Sequence, residues 1–253
     1  VASGRNVWIV QITSSNKFIS DLSRIRVGLE RYGSRAFPGW YGGYSKNTAS
    51  GLGSAQAKIQ GNDIILEESL QGLTFSVACR LLGDQVRTQK ISGHRVELET
   101  GARNEHQLTL LVSVVTSNES DTPTLRALEL LDEVVNESVE AVKEDHLSWW
   151  KGFWEQSFVH LGDDYMENIY YLRRYLMASS SRGKFPVIFN GGLWTWNHDV
   201  RNWVTPHHWN TQQQYWGLCA QNDCELLQPY LNTYSDLMPH AEKHAALRGA
   251  ENA

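Results

Sequence analysis

Two hydrophobic rhythms divide the chain. Up to about Thr116, apolar residues alternate with polar ones or run together in short β-branched stretches: Val7 to Ile12, Asp63 to Leu70, Leu73 to Leu82, Arg95 to Gly101 and His106 to Thr116. Turn residues (Gly, Asn, Ser) separate these runs, which is the signature of antiparallel strands. From Arg31 to Gly53 the pattern is lost in Gly, Ser and aromatic residues, and a long loop is expected there. After Asp121-Thr122-Pro123 the period becomes helical. Leu125, Leu128, Leu131, Val135, Val139 and Val142 recur at three- and four-residue steps and predict one amphipathic linker helix. A second helix is expected over residues 145–156, with Leu147, Trp150, Phe153 and Trp154 on its apolar side. A third is expected over residues 164–180, with Met166, Ile169, Leu172, Leu176 and Ala178 inward. Thr205-Pro206 suits a helix start running to Ala220, and Asn222 with Glu225 suits a capping box for a last helix to about Leu247, bent by Pro239.

Strands followed by helices, without a βαβ weave, predict an α+β multidomain fold: an N-terminal antiparallel β-sandwich over residues 1–116, a linker helix over 117–145 and a helical domain over 146–253. The 253 residues, 41% of them hydrophobic, suffice for real cores. A net charge of -5 with scattered cations gives no basic stripe, which argues against nucleic acid as a partner. No apolar run reaches the roughly 20 residues of a membrane span, so none is expected. Cys79, Cys219 and Cys224, an odd set at irregular spacing, resemble neither a disulfide framework nor a metal set, and no cofactor is expected. The opening VASGRNVW and the ending HAALRGAENA read as those of a piece of a longer protein.

Tryptophan changes the picture from fold to chemistry. Eight of the ten lie between Trp149 and Trp216, and the 28 residues from Phe189 to Trp216 hold five of them together with four Asn and three Gln. Sugars are held by such a mixture, with flat aromatic faces against the ring and planar amides toward vicinal hydroxyls. The candidates for carbohydrate contact are Asn190, beside the Gly191-Gly192 turn, with Trp194, Trp196, Trp209 and Gln212. His198 and Asp199 could form a catalytic pair, or only a solvated turn. Asn210 is an awkward residue for a helix interior whose cap position is already filled, which suggests another purpose. It shares a face with His207, Gln213 and Gln214, while Trp209 and Trp216 lie seven apart on another, expected to be apolar.

His208 to Trp216, HWNTQQQYW, resembles the N-x-N-x-Q-x-N-Y-W helix of family 95 glycoside hydrolases. Aligned on Tyr215 and Trp216, Asn210 takes the second asparagine and Gln212 the glutamine; His208 stands in place of the first asparagine and Gln214 of the last. FPVIFNGGLWTWN falls where that family has its LQGIWN segment, and Trp150 to Val159 fits its approach to the barrel. The resemblance covers roughly residues 145 to 247.

It implies that the helical part is the beginning of an incomplete (α/α)6 barrel. It also implies a carbohydrate substrate, hydrolysis with inversion, and export to a secreted or periplasmic location. Inverting enzymes set acid and base about 6.5–9.5 Å apart to admit a water. The amide of Asn210 is too weak a base and would orient that water, with His208 beside it, while the carboxylates come from later barrel helices. This chain alone is then expected to be inactive. A non-catalytic carbohydrate-binding protein and a phosphorylase of a related barrel family are the alternatives.

Overall fold

The computed structural model describes residues 4–13, 25–31, 55–70, 72–83, 86–100, 107–187 and 208–249. It contains two compact units, Val1–Trp150 and Lys151–Ala253.

In the first unit, β1 (Val7–Thr13), β8 (Gln107–Thr116), β5 (Leu73–Leu82), β4 (Asp63–Leu70) and β3 (Gln56–Gln60) form one antiparallel sheet in that order. β2 (Arg26–Glu30), β7 (Arg95–Thr100) and β6 (Val86–Ser92) form a second. The register follows from side-chain alternation. On β4, Ile64 and Leu66 point between the sheets with Cys79, Leu81, Val96, Leu98, Leu108 and Leu110. Ile65 points the other way, with Ala78, Leu111 and Val115, into a core closed by helix α1 (Pro123–Glu137). The central strands are therefore buried on both faces, which explains why they read as continuous apolar runs. Ser113, fully buried, fastens α1 to the sheet by donating its hydroxyl to the Ala127 carbonyl at 2.7 Å. Arg80 clasps Asp63 with two nitrogens, at 2.8 and 2.7 Å, and reaches Asp132 of α1 at 2.6 Å.

The helical pattern expected over residues 123–142 is two helices. α1 ends at Glu137; Ser138, at φ 93 and ψ 144, breaks the chain, and α2 (Val139–Glu155) begins at once. The buried face of α1 carries Ala127, Leu128, Leu130, Leu131 and Val134, while Leu125 and Val135, expected inward, are exposed. The helix covers a sheet, so its buried stripe is wider than a single seam and is rotated from the expected one.

The second unit holds the end of α2, α3 (Asp164–Ser180), α4 (His208–Tyr215), a 3-10 turn (Cys224–Leu227) and α5 (Gln228–Leu247), with Pro239 inside α5. α3 is capped by Asp163, whose carboxylate accepts from the Tyr165 and Met166 amides at 3.0 and 3.2 Å. Its buried face is Arg174, Met177 and Ala178; Met166, Ile169 and Leu172, expected inward, are exposed with Tyr165. The expected capping box at Asn222 does not form. Asn222 adopts φ 60, and Asp223, which precedes the 3-10 turn, makes no side-chain cap bond. Among the described residues no helix is long and apolar enough to cross a membrane. The α+β class holds: an antiparallel β-sandwich precedes the helices of a partial helical barrel.

Candidate functional site

Asn190, Trp194 and Trp196 lie outside the described residues, as do His198, Asp199 and the helix start at Thr205-Pro206. His208 begins α4, but its side chain is likewise outside the description. Trp209, Asn210 and Gln212 are described, and all three lie on α4.

α4 buries Thr211 and Tyr215, and Leu218 follows on the same side. Their spacing of four and three residues defines the true inner face. Trp209 and Trp216, read as sharing an apolar face, are both 56% exposed. Their rings meet edge to face, with centroids 5.1 Å apart and planes at 82°. Asn210 is also exposed, and Gln212 is half-buried. The outer side of α4 thus offers two indoles and an amide to solvent, as a sugar-binding surface requires.

Tyr215 and Arg173 fix this helix. Tyr215, buried and stacked on Tyr230 at 4.8 Å, accepts the Val187 amide at 2.8 Å and shares a hydrogen bond with Ser181 Oγ at 2.9 Å. Burial is the main reason its phenol is raised above the ordinary value. This hydroxyl thereby fixes the backbone at Val187, three residues before Asn190 in the sequence. Arg173 donates to the Gln214 carbonyl at 2.9 Å and to Gln221, lying across Gly217. A Cβ at Gly217 would come within 3.1 Å of the guanidinium, so glycine is what admits it.

Arg174 and Asp223 are both fully buried and form a two-pronged ion pair, Nε to Oδ2 at 2.9 Å and Nη2 to Oδ1 at 2.8 Å. Arg174 also donates to the carbonyls of Ser157 and Phe153, and its guanidinium lies 4.4 Å from the Phe153 ring centre. A buried charge with all three nitrogens bonded this way ties the end of α2, α3 and the turn after α4 into one block. The available signal in the sequence was Arg173-Arg174, two cations interrupting an apolar helix.

On the sandwich, a cavity of about 540 Å³ is lined by Gln60, Glu67, Ser69, Thr74, Asp121 and Thr124, among others. Its lining includes no aromatic ring. Its carboxylate Glu67 is already engaged by Lys58 at 2.8 Å and by Thr124. It lacks the stacking surface that α4 has. Among the described residues no group of three or more His, Cys, Asp or Glu could hold a metal ion.

A human-microbiome protein assigned as a kojibiose phosphorylase shares this fold, with a TM-score of 0.50 and 14% identity over 73% of this chain. The likeness is one of fold. The chain spans a quarter of the length of that structure. No protein-family model and no curated protein sequence matches. The comparison therefore speaks to the fold alone, and the family 95 resemblance rests on the residues HWNTQQQYW, FPVIFNGGLWTWN and Trp150 to Val159.

Proposed function

We propose that the chain forms one wall of the active site of a glycosidase that cleaves glycosidic bonds in oligo- or polysaccharides with inversion. The observation that carries the proposal is the outer side of α4, where Trp209 and Trp216 are presented to solvent beside Asn210. Trp209, with Trp194 and Trp196, stacks on sugar rings; Asn190 and Gln212 hold hydroxyls; Asn210, with His208, orients the attacking water. The acid and base are carboxylates of further barrel helices. The apolar residues left exposed on α3 and α5, including Ile169, Leu172, Leu231 and Met238, support this, because such faces ordinarily pack against other helices.

A phosphorylase is the second reading, favoured by the assignment of the protein that shares the fold. The two differ in the nucleophile, water or phosphate. The complete polypeptide carrying this chain is to be assayed on nitrophenyl α-glycosides and on kojibiose, with and without inorganic phosphate. Reducing sugar released without phosphate, first as the inverted anomer, supports hydrolysis. Sugar phosphate formed only with phosphate replaces it by the second reading. Binding without turnover on any substrate would leave a carbohydrate-binding protein.

A further inference from the structure

We propose that β1 is the interface of a homodimer, in which two copies pair β1 with β1 antiparallel about a two-fold axis at Val10. β1 is the last strand of its sheet, so among the described residues no strand lies beyond it. Its phase against β8 tells which backbone groups are left over. Val114 donates its amide to the Asn6 carbonyl at 3.3 Å, and these two residues lie directly opposite in the register that pairs Val7 with Ser113. Opposed residues of an antiparallel ladder alternate between bonded and unbonded pairs, so Trp8, Val10 and Ile12 turn their backbone groups toward β8. Val7, Ile9, Gln11 and Thr13 turn theirs outward.

The other sheet edges carry charge: Arg26 and Glu30 on β2, Lys58 on β3, and Arg87 and Lys90 on β6. The ladder of β6 is also interrupted by a register shift between Lys90 and Ser92. Charges and bulges are what keep an edge from pairing with another chain. β1, VWIVQIT, has no charge, no proline and no register shift. The second sheet packs on β3 and β4, and Trp8 and Val10, on one side of β1, are left 51% and 42% exposed.

A second copy fits this edge. The outward groups are spaced symmetrically about Val10, so antiparallel copies bond Val7 to the partner's Thr13 and Ile9 to the partner's Gln11, with Val10 opposite Val10. The same register sets Trp8 against the partner's Ile12 and covers both exposed apolar side chains. An uncharged strand meets itself without opposing like charges, whereas β3 paired about its own centre would set Lys58 against Lys58. The pair is closed and isologous, and joins two five-stranded sheets into one.

Sedimentation velocity of the 253-residue chain, from about 1 µM to about 1 mM, is expected to show a species of twice 28.7 kDa growing with concentration. Val10→Lys and Val10→Glu change a side chain already in solvent, and each is expected to weaken association roughly tenfold or more by setting like charges on the axis. An equal mixture of the two variants is expected to dimerise again, because opposite charges then meet. Residue-resolved amide exchange needs no variant: in the wild type, Ile9 and Gln11 are expected to gain more protection on association than Trp8 and Val10. A monomer throughout the range, association untouched by Val10→Lys, or no recovery in the mixture would overturn the proposal. Ile9 and Gln11 amides equally protected in monomer and dimer would also overturn it, by showing that something other than a second copy holds the edge.

Discussion

Arg174 and Asp223 stand 49 residues apart in the sequence and form a fully buried, two-pronged ion pair in the core of the helical unit. Removing one partner leaves the other charged and without water. Asp223→Ala is expected to lower the unfolding free energy by about 3–5 kcal/mol. The double variant Arg174→Met with Asp223→Leu is expected to lose much less, because no charge is then stranded. Urea denaturation of the three proteins checks this; equal losses in single and double variants would contradict it.

Tyr215→Phe keeps the stacked ring and removes only the hydroxyl. It strands the Val187 amide, and the expected cost is about 1–3 kcal/mol. Amide exchange at Val187 is expected to accelerate more than exchange in the β-sandwich, because the hydroxyl fixes that segment.

Ser138 joins α1 to α2 in a conformation, φ 93 and ψ 144, close to one that only glycine adopts freely. Such strain costs on the order of 1–3 kcal/mol. Its hydroxyl also accepts the Ala141 amide at 3.2 Å, a cap whose loss to glycine costs only a few tenths of a kcal/mol. Ser138→Gly is thus expected to raise the thermal midpoint, and Ser138→Val to lower it.

Glu67 supplies a pH dependence. Its carboxyl is held below the usual carboxylate range, first by the Lys58 hydrogen bond and next by that of Thr124. A carboxyl depressed in the folded state stabilises the fold above its unfolded value, about 4.3, and loses that contribution as pH falls through the folded value. Glu67→Gln is expected to reduce stability at neutral pH and to flatten the fall in stability below about pH 4.3, as followed by acid titration of the circular dichroism signal.

The central strands were legible in the sequence because burial on two faces writes continuous apolar runs, and α3 because Met166, Ile169, Leu172 and Leu176 recur at helical steps. β2, β3 and β6 were not. Their sequences RVGLE, QAKIQ and VRTQKIS are those of sheet edges, half in solvent, where side chains are chosen for water as much as for packing. The helix faces misled for another reason. On α3, Met166, Ile169 and Leu172, read as inward, are exposed, while Arg174 is buried. Trp209 and Trp216 were legible as a spaced pair on one apolar face, but seven-residue spacing tells which residues share a face and not what that face meets.

The claim that α4 contributes to catalysis is tested most directly by steady-state kinetics of the complete polypeptide, wild type against Asn210→Ala, on the glycoside it turns over best. Loss of a water-orienting amide is expected to lower kcat roughly a hundredfold while KM changes little. An unchanged kcat would remove Asn210 from the mechanism and leave the tryptophan-bearing helix as a binding surface.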